Sequence, residues 1–432
     1  MIEALTVRGG LAARPAVPVV IARYGTWIAV AVVFVVLPLV FRSGTALTMM
    51  SLMGISIVFA LSYNMLLGQT GMLSFGHAVY FGLGAYFAVH CMNAAITSGM
   101  PVPLPIIPLV GGLGGLAFAI VFGWVSTKRS GTAFAMISLG LAELVGSSAL
   151  ILRSFFGGEE GVTTDRTRLL RLFDISFGPQ IEVYYLIAAW CLVCMVLMYK
   201  FTRTPLGRMC NAVRDNSERA QFVGYNPQFV RFLAFCVSGF FAGVAGGLAA
   251  IHFEIANSAY FSATQSGNVL LATFVGGSGY FFGPVIGAAL VSYLQVMLSD
   301  VTEIWQLYFG LLFITMVMFA PQGIAGLLMM HRPLWRRRVL LKVVAAYAIA
   351  LPPALVMLTG VALVIEMTYR LAVKAAEGPH MTFFSVPFAA DQPLAWLTAG
   401  ILIVGGFILF RLTWSIIAAA WVNAESRKEL AQ

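Results

Sequence analysis

Long apolar runs, interrupted by short polar or glycine-rich breaks, organise this chain from Tyr24 to Trp421. They predict membrane-spanning helices at 24–41, 45–67, 78–97, 104–126 and 132–152. The last would reach about 31 Å as an α-helix, matching a hydrocarbon core of roughly 30 Å. Further spans are predicted at 182–199, 231–251, 305–320, 339–365 and 394–421. The run at 268–298 is too long for one straight crossing and is broken by Gly276-Gly277-Ser278-Gly279 and Gly283-Pro284. It must enter and return as two short or broken segments if the later spans are to keep their sidedness. The fold class is therefore all-α, a polytopic transmembrane helical bundle with broken or re-entrant helices. Three regions follow: a cytoplasmic tail at 1–24, a permeation core at 25–330, and an extension at 331–432 with two spans.

Composition agrees with that environment. Apolar residues make up 60% of the chain and charged residues 10%, against about 25% charged in soluble domains; the mean hydropathy is +0.91. No Asp, Glu, Lys or Arg occurs from Ser43 to Thr127 or from Ile255 to Ser299. Only lipid or other membrane helices can solvate such runs, and each must pair its own backbone groups. The formal charge of +9 does not point to nucleic acid, because the basic residues punctuate the apolar runs as the cytoplasmic bias of Lys and Arg requires. Cys191 and Cys194 have a redox or metal spacing, but inside a spanning helix they read as small apolar filler. No metal site is predicted. Arg8, Arg14 and Arg23 lie in an N-terminal stretch without a compact apolar core and cleavage site, which assigns that tail to the cytoplasm.

One loop strains the charge rule. Residues 153–181 carry Arg153, Arg166, Arg168 and Arg171 on the predicted outer face. Inverting the protein would put the more basic 200–231 loop and the 332–342 cluster outside, so the original orientation stands. Two glycine-rich interruptions also resemble each other: Gly68-Gln69-Thr70-Gly71 precedes Phe75-Gly76, and Gly276-Gly277-Ser278-Gly279 precedes Phe282-Gly283. Matching breaks in two halves of a transporter point to a substrate route; glycines that merely allow close helix packing are the plainer alternative.

The most polar segment lies between Thr204 and Asn226. Thr204 suits a helix N-cap and Pro205 the first helical position. Leu206, Met209 or Cys210, and Val213 form a short apolar stripe, Asp215 and Arg219 are spaced as an i,i+4 pair, and Gly224 suits a C-terminal stop. Asn216-Ser217-Glu218 could instead divide the segment into two shorter helices. A structured basic loop with a stripe reads as a surface that docks into a partner's groove.

The sequence Thr204-Pro-Leu-Gly207-Arg208, with Arg214-Asp215, Glu218 and Gly224, resembles the ATPase-contacting loop in permeases of branched-chain amino-acid ABC importers, specifically the LivM-type subunit. Similar to that family are also the glycine-rich stretch from Leu67 to Tyr86, Ser138–Glu143 with Gly157–Val162, the 276–288 signature and Pro321-Gln322-Gly323. The likeness runs over about residues 45–330, beyond which this chain adds two spans that such permeases commonly lack. It implies a second permease subunit, two ABC ATPase subunits carrying ATP and Mg, and a periplasmic or extracellular solute-binding protein, all at the cell inner membrane. No cofactor is expected on this chain, and no phosphate-binding Gly-x-x-x-x-Gly-Lys-[Ser/Thr] loop occurs in it.

The ATPase-coupling residues expected on that resemblance are Thr204, Pro205, Gly207, Arg208, Arg214, Asp215, Glu218 and Gly224. Asn64, Gln69, Ser74 and His77 cluster at the first break and, with Gly276, Gly279 and Gly283 at the second, are candidates to line the route. Glu143 is a carboxylate in mid-span, which is costly unless it faces the bundle interior, a water-filled cavity or a partner. It could meet a substrate ammonium group, pair with the other permease, or be protonated. Glu159 and Glu160 sit in the outer loop, where a binding protein would dock. Branched-chain or related small amino acids lead as solutes; urea, short amides and aromatic carboxylates compete. A self-sufficient secondary transporter would need relay groups near the midplane, where Glu143 stands almost alone, and no His or carboxylate cluster supports a membrane enzyme.

Overall fold

The computed structural model describes residues 19–170, 176–336, 340–383 and 386–429. Arg8 and Arg14 of the tail, Arg171 of the strained loop, and Arg337 and Arg338 of the basic cluster lie outside these residues. The chain divides into two units, Met1–Leu327 and Leu328–Gln432.

In the first unit the helices are α1 (Val19–Val40), α2 (Gly44–Thr70), α3 (Ala78–Ser98), α4 (Ile107–Ser126), α5 (Thr132–Ile151), the single turn α6 (Arg153–Phe156) and α7 (Gln180–Thr202). After two short helices, α8 (Pro205–Asp215) and α9 (Ser217–Phe222), come α10 (Pro227–Phe253), α11 (Ala263–Gly276), α12 (Gly283–Ser299), α13 (Trp305–Phe319) and α14 (Gly323–Arg336), whose residues from Leu328 onward fall in the second unit. Strands β1 (Val162–Thr163) and β2 (Ile255–Ala256) pair antiparallel. Among the described residues of the whole chain, eight helices are long and apolar enough to cross a membrane, and α13 and α14 form a further pair bent by 43°. The protein is a multi-pass membrane protein, and the 268–298 run is indeed split, into α11 and α12.

Helix α10 is the hub of this unit. It packs against α2, α3 and α4, and the approach is closest where Gly84 of α3 meets Gly243 of α10. A Cβ at Gly84 would run into the Gly243 backbone, and one at Gly243 would strike the Gly111 carbonyl of α4. With no hydrophobic driving force between helices in lipid, this backbone-to-backbone contact supplies the dispersion that holds them. Side-chain bonds then fix the register: Ser238 Oγ donates to the Ser62 carbonyl at 2.6 Å, and Tyr86 OH to the Phe156 carbonyl at 3.0 Å.

Successive helices alternate direction, so the turns gather at two faces. The opposite face from α8 and α9 holds the β1–β2 pair and the loop that strained the charge rule. Arg166 is only 10% exposed there. Its guanidinium donates to the carbonyls of Ile251 and His252 at the end of α10 and of Phe177 and Gly178, and it lies 3.9 Å from Glu254. A cation at a helix C-terminus is favourable, so this arginine is spent on closing the loop.

The second unit is a helical hairpin, α15 (Leu340–Ala372) and α16 (Pro393–Glu429), joined through the antiparallel strands β3 (His380–Phe383) and β4 (Val386–Ala389). A Cβ at Gly406 of α16 would meet Met357 of α15 at 2.6 Å, so the helices touch closely there. Arg370 clasps the connecting loop through Glu377 Oε2 at 2.7 Å and the Gly378 carbonyl at 3.0 Å. At the other end Trp421 Nε1 donates to Tyr347 OH at 2.9 Å.

Candidate functional site

The polar segment between α7 and α10 folds as two helices, as the Asn216 alternative required. Thr204 Oγ1 accepts from the Gly207 N–H at 3.2 Å and Pro205 occupies the first turn, starting α8. Asn216 Oδ1 accepts from the Arg219 N–H at 2.9 Å and starts α9. That break corrects one expectation: Asp215 and Arg219 are not on one continuous helix, and Asp215 pairs with its neighbour Arg214 at 3.1 Å. Gly224 takes φ +92°, the left-handed region that ends the segment. Arg208, Asp215 and Glu218 are exposed.

The apolar stripe is corrected as well. Cys210 and Val213 are buried against Ala220, Val230 and Ala234, with Leu206 and Met209 packed beside them. The buried part of the stripe fastens α8 to its own chain. Burial pushes the Cys210 thiol up to about 12, which leaves it protonated and unreactive at neutral pH. What does project is Phe222 at 91% exposure, followed by Val223 and Tyr225. The sequence reading passed over these three as site residues; their signal was apolar side chains with no helical period inside an otherwise polar loop.

Helix α8 is fastened to the core at the end of α2. Gly71, at φ +70°, terminates α2: its N–H reaches the Leu67 carbonyl, and the Met72 N–H reaches that of Leu66 at 3.2 Å. Arg214 Nη1 donates to the carbonyl of Gly68, one turn earlier, and Asn211 Nδ2 donates to Gln69 Oε1 at 3.1 Å. The cation thus sits on the Gly68 carbonyl at the negative end of the α2 dipole. Gly68 also lies against the second glycine break, since any Cβ there would come within 2.5 Å of the Ser278 carbonyl. Gly277, in turn, abuts the backbone of Gln322 and Gly323. Three glycine signatures widely separated in sequence therefore meet at one point, directly above α8.

A further bond leaves this point on the other side. The Phe75 N–H donates to Ser138 Oγ at 3.0 Å, and a Cβ at Gly76 would strike the Ser138 carbonyl, so the 71–77 turn is seated on α5. Helix α5 carries Glu143 on its exposed face with Gly140 and Ser147, and Glu143 has no hydrogen-bond or ion-pair partner among the described residues.

The remaining candidates fall into different settings. Asn64, Ser74 and His77 are buried; His77 Nε2 shares a 3.0 Å hydrogen bond with Ser62 Oγ, and its ring stacks on Phe59 at 5.5 Å. Gln69 is turned toward Asn211 rather than toward its three companions. At the second break Gly276 and Gly283 are buried and Gly279 is exposed. Glu159 and Glu160 are exposed on the opposite face, just before β1. Among the described residues no group of three or more His, Cys, Asp or Glu could hold a metal ion.

These features have counterparts among known proteins. The family described as branched-chain amino acid transport system / permease component matches residues 45–321. The high-affinity branched-chain amino acid transport system permease protein LivM of Escherichia coli (strain K12) is 27% identical over 328 residues, covering 71% of this chain and 75% of the relative. The LivH permease protein of the same named system in Salmonella typhimurium is 23% identical over 285 residues, covering 62% of this chain and 90% of the relative. The autoinducer 2 import system permease protein LsrD of Salmonella paratyphi B is 30% identical over 252 residues, or 55% and 70% of the two chains. No solved structure matches the chain. With a family match that takes in both glycine breaks, α5 and the α8–α9 segment, the chain belongs to the permease components of branched-chain amino acid transport systems, as a transport subunit and not an enzyme.

Proposed function

We propose that this chain works in the cell inner membrane as one of two unlike permease subunits, importing branched-chain or related small amino acids. Two ATPase subunits would bind beneath α8 and α9 and hydrolyse ATP with Mg, and a soluble binding protein would deliver the solute near Glu159 and Glu160. The observation that carries this reading is the attachment of α8 through Arg214 and Asn211 to the point where the glycine breaks meet. A push on α8 reaches the end of α2 directly. From there it reaches the α11–α12 turn through Ser278 and α5 through Phe75 and Ser138. Packed elements with discrete arrangements pass on such rigid-body displacement.

Phe222, Val223 and Tyr225 supply the apolar contact with the ATPase, with Arg208 and Glu218 at its polar rim. An exposed aromatic outside the membrane is the usual form of an interface anchor. Glu143 faces the second permease and the route between the two chains, where its charge meets water, solute or a partner cation instead of lipid. The buried Asn64, Ser74 and His77 then shape the wall of that route from behind.

The likeness to the autoinducer 2 permease favours one other reading, in which the same machinery moves a different small polar solute. The test is reconstitution. The tagged chain should co-purify with an ATPase subunit and move radiolabelled leucine only when ATP and the binding protein are both present. Uptake by the purified chain alone would replace this reading with a self-sufficient transporter.

A further inference from the structure

Between the end of α2, the α4–α5 turn, the α8–α9 elbow and the first turn of α10 lies a polar cavity of about 400 Å³. That is within the size of small-molecule sites. Its walls include Met72, Ser130, Arg214, Asp215, Glu218 and Arg231. Both signs of charge face one space. Arg231 is half-buried and has no hydrogen-bond or ion-pair partner among the described residues, although a guanidinium removed from bulk water ordinarily pairs with a carboxylate. Arg214, by contrast, is already bonded to Gly68 and Asp215.

We infer that this cavity binds a free amino acid on the α8 face, its carboxylate on Arg231 and its ammonium group on Glu218. A simple anion would face the two acids, and a simple cation the two arginines. A zwitterion satisfies both. The site deepens the importer reading and rests on it: the occupant would tie α10, part of the fixed core, to the elbow that the ATPases move. A ligand that grips the resting arrangement better than the driven one shifts the equilibrium toward rest. The imported product, accumulating inside, would thereby slow its own import.

The test uses the intact complex in lipid nanodiscs, with L-leucine as the probe. Isovalerate (the same skeleton without the ammonium group) and isoamylamine (without the carboxylate) are the controls. Leucine should bind saturably in the absence of the binding protein, and each control should bind at least about tenfold more weakly, as loss of a charge-assisted bond requires. Arg231→Gln and, separately, Glu218→Gln should each weaken leucine binding to a similar degree, assembly being checked by co-purification. Excess leucine should also lower the ATPase activity stimulated by liganded binding protein, and Arg231→Gln should abolish that inhibition. Absence of leucine binding, isovalerate binding as tight as leucine, or binding unchanged in both variants would each overturn the site while stimulated ATPase activity left the importer reading standing. Absence of any stimulated ATPase activity in the wild-type complex would sink the importer reading itself, and this site with it.

Discussion

Helices α10 and α16 are both long and strongly apolar, yet 78% of the most apolar stretch of α10 is buried within its unit and only 11% of that of α16. The difference lies in what the glycines meet. In α10 Gly239, Gly243 and Gly246 each lie against a neighbouring helix, and a Cβ at Gly246 would overlap the Phe81 carbonyl. In α16 only Gly406 is used in this way; Gly400 and Gly405 have open space around them. Hydropathy therefore tells that a helix sits in the membrane, and the small residues tell whether it sits among other helices. By that standard the first unit holds itself together through contacts within the chain, while α16 of the hairpin has few such contacts along its outer face.

The contrast is broken most severely at Gly246. Gly246→Val adds a branched side chain where even one carbon has no room, between Phe81 and Ala85. Overpacking alone costs about 1–3 kcal/mol and occasionally more, and the obstacle here is backbone that cannot swing aside. The expected result is loss of monodisperse, membrane-inserted protein in a detergent-extraction and size-exclusion assay. Normal yield and melting temperature would mean that α3 and α10 are not in this contact.

How far this was legible in the sequence differs between the helices and their connections. The spans could be read because lipid imposes a length and a polarity on any helix that crosses it, and the double interruption at 276–284 could be read because a 268–298 run cannot cross once. The two-helix alternative for 204–226 was legible in Asn216, a residue whose side chain competes for backbone N–H groups. The partners of α8 were not. Arg214 finds Gly68, and Asn211 finds Gln69, across more than a hundred residues of chain, and nothing local distinguishes Arg214 from Arg208. The stripe at Cys210 and Val213 was visible, but periodicity does not say whether a stripe faces inward or toward a partner. The same ambiguity applies to Glu143, where the sequence gives the depth in the span and only the packing gives the face.

A milder effect is expected where the first unit is worked rather than built. Arg214→Ala and Phe222→Ala should both lower stimulated ATPase activity by about tenfold, corresponding to about 1.4 kcal/mol of lost interaction, but for different reasons. Phe222 is at the surface, so its replacement should weaken capture of the ATPase subunit. Arg214 is bonded to Gly68, so its replacement should leave capture intact and lose the coupling of hydrolysis to uptake. Co-purification yield measured beside the ratio of transport to ATP turnover separates the two. Equal loss of capture in both variants would make Arg214 a docking residue and remove the route from α8 to α2.

The smallest effect belongs to the hairpin and sharpens the contrast from its other side. Gly400 lies on α16 among Leu397, Ile401, Val404 and Ile408, along an open apolar groove, and a Cβ there meets nothing within 4 Å. Gly400→Leu should therefore fill space now left to acyl chains, and it also removes a residue that disfavours helix by about 1 kcal/mol. Unchanged or slightly raised thermal stability is expected, with uptake as in the wild type, although the same exchange at Gly246 would be ruinous. A marked loss of assembly with the other subunits would show that a partner helix, rather than lipid, lies in the groove. The hairpin would then belong with α10 as a packed element, whose neighbour is supplied by another chain.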